Sequence, residues 1–281
     1  MTIGIIGLGL IGGSLAKAIK YNTQHRVLGS DIEKHVVLKA KLLGAIDDEL
    51  SPSQLKECDT VIVALYPEAT IKFIKENKCN FKKGAVVLDC CGTKSAVCHE
   101  LFSESHSSDF IFVGSHPMAG LHFSGFEYSA PKMFDNASMI LVPDNKADIQ
   151  TLEGLKKLFT SIGFTTIKIT SADDHDKIIA YTSQLAHVVS NAYVKSPQAE
   201  VHSGFSAGSY KDLTRVAKLN ADMWTELFLS NREYLTEEID CIIENLKKYS
   251  EAIKNGDANE LHKLLKEGSD RKEKIDGIYL N

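Results

Sequence analysis

The feature that most constrains this chain stands at its start. A short apolar run, Ile3-Gly4-Ile5-Ile6, enters Gly7-Leu8-Gly9-Leu10-Ile11-Gly12-Gly13-Ser14, and Leu15-Ala16-Lys17-Ala18-Ile19 follows. The pattern reads as strand, tight turn and helix, with small residues where the helix would lie against a sheet. Arg26-Val27-Leu28-Gly29-Ser30 then reads as a second strand ending in Asp31. Each glycine of Gly7-x-Gly9-x-x-Gly12 has a physical task. Gly7 permits the turn, Gly9 lets backbone approach a pyrophosphate, and Gly12 allows close helix–strand packing. Glycine-rich turns also serve simple chain reversal, so the context matters: strand before, helix after, and an acid at the end of the next strand.

The amides of that helix N-terminus suit two phosphates, which makes Gly7, Gly9, Leu10, Ile11 and Gly12 candidate cofactor contacts. Asp31 would accept hydrogen bonds from ribose hydroxyls and repel a 2′-phosphate, so the expected cofactor is NAD rather than NADP.

At 281 residues the chain exceeds a typical single domain, and its 43% hydrophobic content is ample for ordinary cores. A net charge of -5, from 32 basic and 37 acidic residues, offers no broad basic field for nucleic acid. No run approaches a membrane span and Met1-Thr2 leads directly into the first strand, so no membrane partner and a cytoplasmic location are expected. Cysteines 58, 79, 90, 91, 98 and 241 lack CxxC spacing, so reduced thiols and no metal are expected. Cys90-Cys91 reads as two small residues at a strand end, with a redox pair as the alternative.

Beyond Asp31, helix and strand alternate. A helix is expected around residues 33–43, then a strand at Thr60–Leu65, a helix after Pro67, and a strand at Ala85–Asp89. A helix from near Lys94, strands at Phe110–Gly114 and Ser138–Val142, a helix at 149–161 and a strand at Thr165–Ile169 follow. Continuous apolar runs suit strands buried on both faces, hence a doubly wound, mostly parallel α/β sheet of Rossmann type. Strand-like runs stop at Ser171, a candidate N-cap for a helix reaching about Lys195. The expected domains are therefore 1–170, nucleotide-binding, and 171–281, all helical. Ser196–Gly208 reads as a loop. From Trp224 to Ile253 an apolar stripe runs at spacings of three and four, long for one globular helix; it could line an intramolecular bundle or a subunit interface, and the small helical domain favours a homodimer interface. A polar helix over 257–276 closes the pattern.

In doubly wound folds the ligand site lies beyond the carboxyl ends of the strands. Tyr66-Pro67, Cys91-Gly92-Thr93-Lys94 and Ser115-His116-Pro117-Met118-Ala119-Gly120 qualify by position. The last puts an imidazole, the side chain best matched to proton transfer near neutrality, directly after a strand. In one order, the glycine turn, Asp89-Cys90-Cys91-Gly92-Thr93-Lys94, Ser115-His116-Pro117-Met118-Ala119-Gly120 with Ser124-Gly125, and Lys211-Asp212-Leu213-Thr214-Arg215-Val216-Ala217 together resemble the prephenate/arogenate dehydrogenase family.

That resemblance implies NAD-dependent oxidative decarboxylation of prephenate, or of arogenate, a small-molecule substrate on the route to tyrosine. It implies His116 as the base, Arg215 as the partner of a substrate carboxylate, and His187 with Ser183 as a substrate wall from the helical half. Gly92, Thr93 and Lys94 would lie at the cofactor. Many members carry serine where Gly92 stands, some carry histidine at the position of Gln184, and polar residues stand at those of Leu121 and His122. Two other classes share the architecture: a hydroxyacid or imine dehydrogenase with a helix lysine as acid/base, for which Lys177 is the early candidate, and a non-catalytic NAD-sensing dimer.

Overall fold

A computed structural model describes residues 1–121 and 123–279, so His122 lies outside the described residues. The chain forms two compact units, Met1–Arg232 and Glu233–Asn281. In the first, β1 (Thr2–Ile6), β2 (Arg26–Ser30), β3 (Asp48–Glu49), β4 (Thr60–Val63), β5 (Val86–Asp89), β6 (Ile111–Pro117), β7 (Ser138–Pro143) and β8 (Thr166–Ile169) form one sheet. Its order is β3-β2-β1-β4-β5-β6-β7-β8. All neighbours are parallel except β6 and β7. The exception has a local cause. Where the parallel connections along the sheet carry crossover helices, residues 118–137 hold only loop and the short turn Phe126–Tyr128, so the chain re-enters at the end it left.

Helices α1 (Leu10–Asn22), α2 (Lys34–Leu42) and α5 (Ile149–Ser161) cover one face of the sheet, and α3 (Pro67–Asn77) and α4 (Ser95–His106) the other. Alternate residues of each central strand feed the two cores: Ile3, Ile5, Ile62, Leu88 and Val113 join Leu15 and Phe159, whereas Ile6, Val61, Val63, Val87 and Phe112 join Ile74 and Leu101. Such two-sided burial is why the strands are apolar throughout. The small residues of α1 do what their size predicts. Gly12, Gly13, Ser14 and Ala16 are buried, and a Cβ at Gly12 would lie 1.9 Å from the Gly7 carbonyl oxygen.

Ser171 caps the next helix, accepting from the Asp174 amide at 3.1 Å. The expected helix forms without a break but changes pitch once: α6 (Ala172–Ile179), a π-helical turn over Ala180–Gln184, and α7 (Leu185–Tyr193). After a short 3-10 turn at Pro197–Glu200 come α8 (Gly208–Thr214) and α9 (Ala221–Ser230). The long stripe is divided, because the chain breaks at buried Asn231 before α10 (Arg232–Lys254). The Asn231 side-chain amide donates to the Asp176 carbonyl at 2.9 Å and to Gln184 Oε1 at 2.7 Å, a polar tie where periodicity alone predicted apolar packing.

In the second unit, α10 is followed through a turn at Gly256, whose φ is +63°, by α11 (Ala258–Tyr279). The Tyr249 hydroxyl donates to the Leu264 carbonyl at 3.1 Å, joining the two helices. Leu246 and Ile253 on α10 are exposed. The outer surface of α11 carries ion pairs four residues apart, Lys266–Asp270 and Arg271–Glu267 among them. Among the described residues no helix is long and apolar enough to cross a membrane.

Candidate active site

β1, β4, β5 and β6 run parallel, so their carboxyl ends share one edge, and the order reverses between β1 and its two neighbours there. A ligand crevice belongs at that edge. Gly7 has φ +84° with the Ala64 carbonyl oxygen 2.6 Å from where a Cβ would sit, so only glycine makes this turn. Nothing lies within 4 Å of a Cβ built at Gly9, which leaves its backbone open to an approaching group. No side chain caps α1 and no acid stands in its first turn, so its N-terminal dipole faces outward unopposed from Gly9, Leu10 and Ile11. Asp31 lies beside this turn: its carboxylate accepts from the Leu8 amide at 2.7 Å and the Glu33 amide at 3.0 Å. These residues fit a dinucleotide: an open glycine turn for the pyrophosphate, and a carboxylate held rigidly at the end of β2 with acceptor capacity remaining for ribose hydroxyls.

The turn after β5 differs from expectation. Lys94 is fully buried, and its ammonium makes an ion pair with the equally buried Asp89. Its backbone amide donates to Asp176 Oδ1 at 2.7 Å. The amide and the ammonium are thus both engaged within the protein. Thr93 is also buried, with its hydroxyl 3.0 Å from that of Ser230 on α9. Gly92 alone of the three is partly exposed, and a Cβ there would meet Leu227 at 3.3 Å. Asp89 also accepts from the amides of Cys91 and Ser115, each at 2.9 Å, so one carboxylate organises both strand ends. Burial, with the Asp89 charge adding to it, pushes the Cys90 and Cys91 thiols far up, which favours two small residues at a strand end over a redox pair.

His116 lies within β6, not in a loop after it: the strand continues to Pro117, paired on β7 with His116 opposite Ile140. Its Nδ1 is 3.0 Å from His175 Nε2 on α6, and the rings meet edge to face with centroids 5.2 Å apart. His175 Nδ1 is in turn 2.7 Å from Asp176 Oδ1. The second oxygen of Asp176 accepts from the Ser95 amide at 2.7 Å, so this carboxylate caps α4 as well as holding the imidazole. Burial opposes ionisation of Asp176, but its bonds from His175, Ser95 and Lys94 outweigh that and hold its carboxyl below the usual range. For His116, burial first and then its neighbours His175 and Lys94 lower the pKa well below the ordinary 6.5. A histidine kept neutral by its surroundings is available as a proton acceptor.

A second cluster carries the other expected substrate residues. His187 Nδ1 donates to the Ser183 carbonyl at 2.9 Å, and its ring lies on Trp224 with centroids 4.0 Å apart. Burial lowers its pKa and the nearby Arg215 charge lowers it further, while the Ser183 bond opposes both. Arg215, exposed at the C-terminal end of α8, therefore stands close enough to His187 for its charge to be felt. Ser183 is partly buried in the π-helical turn. Gln184 is buried and structural, donating to the Leu227 carbonyl at 3.1 Å and accepting from Asn231. The residues that sequence reading missed are His175 and Asp176. Their signal was adjacency: two ionisable residues side by side, on the face of α6 that also buries Ile179, must find polar partners.

Comparison with known proteins bears directly on this arrangement. The family model for the prephenate dehydrogenase nucleotide-binding domain matches residues 15–168, and that for the prephenate dehydrogenase dimerization domain matches residues 171–267. A prephenate dehydrogenase of Bacillus subtilis is 32% identical over 99% of this chain and 76% of its own length. A cyclohexadienyl dehydrogenase of Zymomonas mobilis is 30% identical over 94% of this chain and 92% of its own. The crystal structure of prephenate dehydrogenase from A. aeolicus in complex with hydroxyphenyl propionate and NAD+ superposes with a TM-score of 0.84 at 28% identity, covering 98% of both chains. With two consecutive family domains matched and the glycine turn, sheet edge and partly buried histidine in place, the chain belongs to the prephenate dehydrogenase family.

Proposed function

We propose that this chain catalyses the NAD-dependent oxidative decarboxylation of prephenate to 4-hydroxyphenylpyruvate in tyrosine biosynthesis. The observation that carries it is His116, held neutral at the cofactor edge of the sheet with one ring nitrogen on His175 and the other free of that contact. Gly7, Gly9, Leu10, Ile11 and Gly12 would hold the pyrophosphate of NAD, and Asp31 its ribose. Bound there, NAD would supply the hydride acceptor for the ring carbon bearing the hydroxyl. His116 takes the hydroxyl proton, the ring carboxylate leaves as CO₂, and the ring becomes aromatic. Arg215 offers a planar, permanently charged fork to a substrate carboxylate, and His187 and Ser183 line the same side.

Residues 1–170 would serve as the nucleotide-binding domain and 171–281 as the substrate and dimerisation domain, supported by the two family matches. The protein is a homodimer in this reading, and the exposed apolar residues of α10 support it. A cytoplasmic location is supported by free cysteines, of which Cys58, Cys91 and Cys98 are buried as thiols. The test is reduction of NAD, followed at the NADH absorbance, with prephenate, arogenate and a panel of acyclic hydroxyacids. Turnover of prephenate well above the others supports the assignment. Preference for arogenate would make the product tyrosine itself, preference for a hydroxyacid would move the chain to that class, and no turnover at all would leave an NAD-binding dimer.

A further inference from the structure

We propose that His175, anchored by Asp176, is a positioning residue that fixes His116 in the Nδ1–H tautomer and leaves Nε2 bare for the substrate proton. The proposal rests on the reading of His116 as the base, and it takes His175 as a ring that carries hydrogen on Nδ1 alone. Asp176 receives three donors: the Lys94 amide and His175 Nδ1 on one oxygen, and the Ser95 amide on the other. An ionised carboxylate can only accept, so Nδ1 of His175 carries hydrogen. With hydrogen on Nδ1 alone, the ring presents Nε2 as an acceptor, 3.0 Å from His116 Nδ1, which then donates. His116 is left with its lone pair on Nε2. Were His175 to donate instead, His116 would carry its hydrogen on Nε2 and could take no proton there.

Burial makes the arrangement rigid. His175 is 2% and Asp176 1% exposed, so water does not compete for either bond. Asp176 also closes the N-terminus of α4, directly after the turn that leaves β5, so the imidazole pair is tied to the sheet edge rather than to a free helix face. When the hydroxyl O–H breaks and the proton forms a bond to His116 Nε2, the Nδ1–H bond to His175 becomes charge-assisted, with the Asp176 carboxylate one ring further on. The step needs no further acid, base or oxidant beyond NAD.

The test uses the full chain labelled with 15N-histidine at neutral pH, with His116→Asn serving to assign the signal. His116 should show a protonated Nδ1 and a bare Nε2. His175→Phe should shift that signal toward the Nε2–H form and lower kcat by about 10- to 100-fold, with KM for prephenate and for NAD nearly constant. His175→Gln puts a carbonyl oxygen in reach of His116 Nδ1 and should restore most of the kcat and of the nitrogen signature. Should His175→Phe unfold, seen as altered Trp224 fluorescence, the wild-type and His175→Gln spectra still decide. A wild-type His116 protonated on Nε2, or a folded His175→Phe with kcat unchanged, overturns the proposal. If the wild type turned over no cyclohexadienyl substrate, the base reading would fail while the nitrogen signals still decided the tautomer.

Discussion

Lys94→Met separates a structural lysine from a cofactor ligand. The substitution keeps a chain of similar length, so little cavity forms, but it strips the ammonium from Asp89 at a site where both side chains are 0% exposed. Breaking one side of a buried pair typically costs about 3–5 kcal/mol, because the remaining charge is stranded. Asp89 keeps two partners, the Cys91 and Ser115 amides at 2.9 Å, which places the expected loss near the lower end, about 3 kcal/mol. With a urea slope of about 2 kcal/mol per molar, the midpoint should drop by about 1.5 M. Trp224, the sole tryptophan, lies in the unit that contains the pair and reports its unfolding. Adding Asp89→Asn removes the stranded charge and should recover about 1 kcal/mol or more, the signature of a coupled pair. NAD affinity of the folded single variant should stay within about twofold, since the native ammonium points at Asp89. A midpoint shift below about 0.3 M, or a tenfold loss of NAD affinity at full stability, would refute the structural role and return Lys94 to the cofactor.

Two glycine substitutions should part company: Gly12→Ala forces a Cβ to 1.9 Å from the Gly7 carbonyl and should cost more than about 2 kcal/mol by thermal unfolding. Gly9→Ala meets nothing within 4 Å, so it should leave the melting temperature unchanged and weaken NAD about tenfold in titration. Asp31→Ala should narrow the preference for NAD over NADP in kcat/KM, and equal efficiency of the two cofactors in the wild type would contradict the ribose role. Because burial and its polar neighbours hold His116 well below 6.5, kcat/KM should stay flat as pH falls through that value and decline only at more acid pH. Stability should move differently: the unfolded histidine takes up a proton near 6.5 while the folded one refuses it, so the contribution of neutral His116 is complete above 6.5 and is lost as pH falls toward the folded value. Arg215→Ala should raise KM for prephenate strongly with NAD binding unaffected, and Arg215→Lys should rescue only in part, because a point charge does not reproduce the bidentate fork.

The sheet was legible because its evidence is local. A parallel strand buried on both faces announces itself as an unbroken apolar run, and residues 61–65 and 85–88 do so. The glycine turn carried its own stereochemistry: Gly7 at φ +84° and the 1.9 Å contact at Gly12 are demands that no other residue meets. What periodicity could not show was where a pattern is interrupted from outside. Asn231 sits in register with an apolar stripe, yet its amide is drawn to the Asp176 carbonyl and Gln184, and the helix breaks there. The π-helical turn at Ala180–Gln184 is likewise invisible to a 3.6-residue period, since one extra residue in a turn shifts every later position by about 100°.

The site divides along the same line. His116 was findable because strand end, proline and glycine mark it from nearby residues, whereas its partner lies 59 residues on and appears in sequence as an unremarked polar pair opening a helix. Lys94 shows the converse. A lysine beside a glycine in a strand-end turn looks like a phosphate ligand until the fold supplies Asp89 five residues back and Asp176 eighty-two ahead, and both of its donors turn inward. In each case the deciding interaction is between two charged or titrating groups removed from water together. Such groups are costly to bury alone, so a chain that buries one must supply the other. Four buried ionisable side chains, Asp89, Lys94, His175 and Asp176, meet between the end of β5 and the start of α6, and their mutual satisfaction leaves His116 Nδ1 engaged and its Nε2 available. In the proposed reading, the nitrogen that takes the proton is thus defined by what the neighbouring groups have already taken.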